Sequence, residues 1–181
     1  MRLSLYRYDA GAETADGDHV VYDLARGAAA FGAASIDGPA LVWQLDADDA
    51  DTRAAMISRA VELDPSTEWV LRCDRVDFPL GGIAHRHVHP GPGIRYLLRG
   101  EIAIETEGRT TVYGRGEAWF ESGPEPVLAR ASAEDETSFV RALVLPAEWA
   151  GKRTIRYIEP ADESAPKQSA SVLLERAIAL P

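Results

Sequence analysis

The chain changes its rhythm at about residue 68. Beyond that point short runs with period-two alternation are separated by turn residues every eight to twelve positions, the spacing of a sandwich or barrel. "EWVLRCDRVDF", "IAHRHVH", "IRYLLRGEIAIET", "RTTVY", "EAWFE", "VLARAS" and "SFVRALVLP" read as successive strands, with Glu107-Gly108 and "GRG" (114–116) as turns. The alternation of the first run slips between Asp74 and Arg75, so a bulge is expected there. Before residue 68 the pattern is weaker. "RLSLYRYD" reads as a strand or an arm, and "ALVWQLD" (40–46) alternates cleanly as a strand. "GAAAFGAASIDGPA" carries no period and leaves helix or loop open. In "DADDADTRAAMISRAVELDPS" aspartates crowd the start, Ala54, Ile57 and Val61 recur at helical spacing, and Asp64-Pro65 forms a stop, which predicts one helix near 50–63. Past Pro146, "ADESAPKQSA" reads as a polar crossing and "SVLLERAIAL" as a last strand returning to the sheet. The division that follows is an N-terminal extension over 1–67, an all-β core over 68–146 and a C-terminal extension over 147–181.

Composition narrows the function classes. The 181 residues hold 29 acidic against 19 basic side chains, a net charge of −10. Such a surface repels phosphate backbones, and the arginines are scattered along the sequence, so nucleic-acid binding is not expected. A single cysteine, Cys73, rules out an internal disulfide and reads as a small buried hydrophobe. The opening "MRLSLYRYDAGAE" has no apolar segment of signal-peptide kind, and no apolar run approaches membrane-spanning length. A cytoplasmic location with no membrane partner is the expectation. Ser nucleophile elbows, P-loops and GxGxxG fingerprints are missing.

The chemistry is concentrated in "GGIAHRHVHPGPGIRYLLRG". Three of the four histidines, His85, His87 and His89, stand at alternate positions there. In an unbroken strand all three project from one face. His87 and His89 are one pleat repeat apart and can converge on one cation. His85 and His89 stand roughly 13 Å apart along the strand, so two ligands plus one neighbour are expected. "HPGPG" then turns the chain and holds the pair at the strand end.

"HVHPGPGIRYLLRGEIAIETEG" resembles the first motif of the cupins, G-x(5)-H-x-H-x(3,4)-E-x(6)-G, with His87, His89 and Gly100 in the matching places. "GRGEAWFESGPEPVLARAS" resembles their second motif at Gly116-Glu117 and in its Gly/Pro turn. The likeness spans about residues 68–146. It implies an all-β cupin-like barrel, a double-stranded β-helix or jelly roll, carrying one N-terminal helix and extra terminal strands. It also implies one divalent transition metal (Zn, Fe, Mn, Ni or Cu), a small-molecule ligand and a homodimer. The chain departs from the family's four-ligand set. The glutamate position of the first motif is Gly93, and the histidine of the second falls at Pro126 or Val127. His87 and His89 carry over as metal ligands, and His85, Glu121 and Glu125 are the candidates for a third. Counting by twos from Gly93 places Arg95 on the same face. There it would hold a substrate carboxylate bidentately; the alternatives are that it faces outward or neutralises a buried glutamate. The function implied is a metal-dependent enzyme acting on a small carboxylated organic molecule, of dioxygenase, isomerase, lyase or decarboxylase type. The alternative is a non-enzymatic binding or sensing barrel without metal.

Overall fold

The computed structural model describes residues 1–165 and 168–180, which form seventeen strands and two short 3-10 turns at 147–149 and 160–164. No α-helix occurs among the described residues, and no helix is long and apolar enough to cross a membrane.

The central unit is one long hairpin wound on itself. Its strands are β8 (Trp69–Phe78), β9 (Ile83–Val88), β10 (Gly93–Arg99), β11 (Glu101–Thr106), β12 (Arg109–Gly114), β13 (Ala118–Glu121), β14 (Val127–Ala131) and β15 (Thr137–Pro146). Pairing is nested and antiparallel: β8 with β15, β9 with β14, β10 with β13, β11 with β12. The hairpin tip is Glu107-Gly108, both with positive φ (50° and 71°), the pairing of conformations a two-residue type I′ turn needs. Winding places alternate arms in two facing sheets, β13-β10-β15-β8 and β12-β11-β14-β9. The short β16 (Arg156–Tyr157) extends the second sheet, and β17 (Ser169–Ile178) docks on β8 at the edge of the first.

The N-terminal third is a third β layer. Strands β1 (Arg2–Tyr8), β3 (His19–Asp23), β4 (Ala28–Phe31), β6 (Ala40–Asp46) and β7 (Ile57–Ala60) form a sheet in the order β4-β3-β6-β1-β7, beside a small pair of β2 (Ala12–Thr14) and β5 (Ala34–Ile36). Leu3, Leu5, Trp43 and Tyr22 from this sheet join Leu71, Cys73, Ile94 and Val140 in one core. Trp43 is fully buried, and its indole Nε1–H donates to the Ile94 carbonyl at 3.0 Å. The central sheet is therefore covered on both faces. That explains why β8 and β15 are nearly continuously buried instead of alternating.

Two sequence expectations are corrected here. The helix near 50–63 does not form: residues 57–60 are a strand pairing with β1, from Ile57 opposite Leu5 to Ala60 opposite Arg2. Ile57 and Val61 do pack on the core, but Ala54 is exposed, so the apparent stripe was incomplete. The open backbone edge of β1 outweighs a modest helix preference. The bulge foreseen at Asp74–Arg75 is also absent on the β15 side, where register runs unbroken from Trp69 to Phe78. The irregularity sits in β17, between Val172 and Leu174.

Candidate metal centre and its cavity

Inward positions of the two facing sheets surround a cavity of about 320 Å³. One end is apolar, walled by Val76, Phe78, Ile104, Trp119 and Phe139. The polar lining combines the buried His87, His89, Glu121, Asp74, Arg141 and Thr154 with the exposed Lys152 and Arg153.

His87, next to last in β9, lies on the inner face, and His89 follows just past the strand. Gly91 fixes the exit. Its backbone lies against β15 so closely that a Cβ there would collide with the Val144 carbonyl oxygen. The Val144 N–H donates to the Pro92 carbonyl and the His89 N–H to the Gly123 carbonyl, at 2.9 and 2.8 Å. Both imidazoles are oriented by backbone carbonyls through the same ring nitrogen. Nδ1 of His87 lies 2.7 Å from the His85 oxygen, and Nδ1 of His89 lies 3.0 Å from the Thr154 oxygen. A carbonyl only accepts, so each Nδ1 carries the proton and each Nε2 is the ring's acceptor, that of His89 standing 3.5 Å from Arg141 Nη1. Burial pulls both histidines below their usual range. His89 falls well below it, pushed further by the Arg141 and Arg95 guanidiniums.

Glu121 closes the set from β13. Metal-ligating atoms of His87, His89 and Glu121 all lie within 4.8 Å of one another, and all three residues are buried. Glu121 Oε1 accepts from the Trp119 Nε1–H at 2.8 Å. Oε2 lies 2.7 Å from Arg95 Nη2 and 3.6 Å from His89 Nε2, with no well-formed hydrogen bond closing on it. The donor set fits a divalent metal: two neutral imidazole lone pairs and a buried carboxylate oxygen with capacity to spare.

The register explains where the carboxylate came from. Gly93, at the position where the first cupin motif has its glutamate, is paired directly across from Glu121. No side chain fits at 93: a Cβ would meet Ala142 O at 2.6 Å and Arg95 Nη1 at 3.0 Å. Arg95 folds over that glycine and donates from Nη1 to its carbonyl at 2.6 Å. Glu121 thus offers a carboxylate one strand sideways from Gly93, at the same level of the barrel. Arg95 is fully buried, and burial lowers its guanidinium to about 10, Glu121 opposing the drop.

The structure separates the remaining candidates. His85 is not on the face of His87. Strand β9 spends three steps, Ala84 to His87, opposite the two steps from Ala129 to Val127 on β14, and this bulge turns His85 outward. There its Nδ1 lies 3.7 Å from Asp162 Oδ1. Glu125 is exposed in the turn before β14. Val127 is buried opposite His87, so the level at which the second motif's histidine was sought is apolar. Arg95 faces inward as the count by twos predicted, with Glu121 as its partner.

Sequence reading passed over Asp74, Arg141 and Thr154. Arg141 donates from Nη2 to Asp74 Oδ2 at 2.9 Å and to Thr154 Oγ1 at 3.1 Å, while Nη1 stands 3.5 Å from His89 Nε2. The available signal was Arg141 as a lone charge inside the apolar "SFVRALVLP"; the facing "VLRCDRVDF" carries four charges and does not single out Asp74.

Nested hairpin arms, two facing sheets and a histidine pair at the end of the second arm together decide the architecture. This is a jelly-roll barrel of nested antiparallel hairpin arms. Among solved structures, the chain is similar to the polyketide cyclase RemF from Streptomyces resistomycificus, with 21% identity over 52% of this chain and 63% of that one, at a TM-score of 0.40. It is similar also to an RmlC-like cupin from Shewanella frigidimarina (15% identity, 50% and 94% covered, TM-score 0.39). A third is the DMSP lyase DddQ from Ruegeria pomeroyi (22% identity, 50% and 44% covered, TM-score 0.42). The chain thus spans under two thirds of the cyclase and under half of the lyase. No protein-family model and no curated protein matches it.

Proposed function

We propose that the cupin-type barrel holds one divalent transition metal on His87, His89 and Glu121 and acts through it on a small organic molecule taken into the cavity. The observation that carries this reading is the shared orientation of the two imidazoles. Both Nδ1 protons are committed to backbone carbonyls, and both Nε2 lone pairs lie beside a buried carboxylate, that of His89 also facing Arg141 Nη1 at 3.5 Å. Backbone-oriented rings of this kind are what a metal site requires of its surroundings. When bound, the metal supplies Lewis acidity, and three protein ligands leave coordination positions open toward the cavity. The chain's own residues do the rest. The apolar end accepts a hydrocarbon or aromatic body. Arg141 presents Nη1 beside the His89 ring, held there by Asp74 and Thr154, and orients a carboxylate or other oxyanion at the centre. The expected homodimer belongs to the same reading and is tested by mass in solution.

The deciding measurement is elemental analysis of protein purified without chelator or affinity-tag metal. About one equivalent of a transition metal, lost in the double variant His87→Ala, His89→Ala with the β-type circular dichroism spectrum retained, is the expected result. Less than about a tenth of an equivalent, with no uptake on titration, replaces this reading with a metal-free binding barrel.

A further inference from the structure

A second cleft lies away from the barrel interior, where the N-terminal sheet meets the outer face of the central one. Its volume is about 700 Å³, and five arginines line it: Arg7 and Arg26 from the N-terminal layer, Arg75, Arg99 and Arg115 from the barrel. No aspartate or glutamate lines it. In a chain with 29 acidic and 19 basic residues, five charged lining positions all of one sign, and of the minority sign, are not what a random surface gives.

The carboxylates that pair with these arginines stand outside the cleft. Asp77 and Glu136 pair with Arg75 and Arg99 but face a neighbouring depression on the other side of those guanidiniums. Asp9 and Asp23 pair with Arg7 and Arg26 from beyond the lining. The pairs are exposed on their arginine side, with arginine side chains 41–74% accessible, so solvent screens them and they yield cheaply to a competing anion. Donors also remain free. Arg99 engages Glu136 through Nη1 alone, and Arg26 engages Asp23 through Nη1 alone. Arg115 has no carboxylate partner at all among the described residues.

The rest of the lining adds hydrogen-bonding and flat apolar surface. Tyr96 accepts from Arg7 Nη1 at 3.0 Å, which leaves its own hydroxyl proton to donate. Gly116, with φ of 90°, turns the chain tightly beside both groups: a Cβ there would lie 3.7 Å from Arg7 Nη1 and 3.7 Å from the Tyr96 hydroxyl. Tyr22, Pro39 and Leu98 supply the non-polar part.

We infer that this cleft binds a small molecule carrying several phosphate groups. Several fork-shaped guanidiniums lining one cleft, with their carboxylate partners outside it, suit closely spaced tetrahedral oxyanions better than a single carboxylate. The overall charge of −10 opposes long-range attraction, so binding rests on the local contacts and weakens steeply with salt. The inference does not depend on the metal reading, since the two sites share no lining residue.

Isothermal titration of the full chain with inorganic tripolyphosphate at low ionic strength tests it, with citrate as a carboxylate control and ATP as the second phosphate source. Saturable one-to-one binding of tripolyphosphate is expected, with citrate weaker by about tenfold or more. Equal affinity for ATP and tripolyphosphate identifies the phosphate chain as the recognised unit; tighter ATP binding adds its base or ribose to the contacts. The variant Arg99→Ala, Arg115→Ala removes exposed side chains and is expected to keep its unfolding midpoint and metal content while losing about tenfold or more in affinity. No saturable binding in the native protein overturns the inference. So does binding that the double variant leaves unchanged, or citrate binding as tight as tripolyphosphate.

Discussion

At the scale of single residues the site is a balance of buried charges. Among the described residues Glu121 is the only carboxylate paired with Arg95, which is fully buried. In chelator-treated protein, Glu121→Gln keeps the contact to Trp119 but leaves a buried cation unpaired. A loss of about 3–5 kcal/mol is expected in urea denaturation. Adding Arg95→Met to that variant is expected to recover most of it, since an apolar chain of similar length needs no counter-charge. The histidines set the pH response. Burial lowers the folded-state affinity of His87 and His89 for protons, so the unfolded chain takes up protons first as pH falls. Stability of the metal-free protein is therefore full above about pH 6.5 and declines as pH drops below it. The double variant His87→Asn, His89→Asn is expected to flatten that decline in denaturation curves measured between pH 7 and 5.

At the scale of elements, the turn after His89 and the hairpin tip are both glycine turns with different work. Gly91 packs backbone to backbone against β15 and Gly123. Gly91→Ala is expected to cost about 1–3 kcal/mol from overpacking and to lower metal uptake, because the displaced segment carries His89. Gly108 has open space around its missing Cβ and only its φ of 71° to lose. Gly108→Ala is expected to cost about 1 kcal/mol and to leave metal uptake unchanged. Comparing the two variants by denaturation and elemental analysis separates strain that reaches the centre from strain that does not.

At the scale of the whole molecule, three β layers share one central sheet, and β17 covers part of its edge. Glu175 on β17 pairs with buried Arg72 and accepts from the Gly151 N–H at 2.9 Å, tying the last strand to the loop beside the cavity. Arg72 also donates to the Trp149 and Lys152 carbonyls, both at 2.8 Å. Ending the chain at residue 165 strands that guanidinium and uncovers the edge at Cys73, which lies opposite Leu174. Cys73 is inaccessible, with its thiol pushed up by burial, so the intact protein is expected to resist a thiol reagent under native conditions. The truncated chain is expected to react and to unfold at lower urea.

What the sequence determined by itself is the local part of this molecule. Period-two runs and turn residues marked the barrel strands from 69 to 146, the Glu107-Gly108 tip, and the return of the last strand, because alternation and positive-φ turns are properties of neighbouring residues. The histidine spacing likewise marked the polar end of the barrel. Tertiary structure decided the rest. Residues 57–60 became a strand because β1 offered an unpaired edge, which no local pattern reveals. His85 turned away because a bulge in β9 broke the alternation, and a bulge is a relation between two strands. Glu121 stands beside His89 because β13 lies against β10 with Gly93 opposite. Asp74 and Arg141 meet for the same reason, sixty-seven residues apart in the chain and paired across one ladder. The five arginines of the outer cleft look scattered in sequence because they come from two different layers, and only the packing of those layers gathers them.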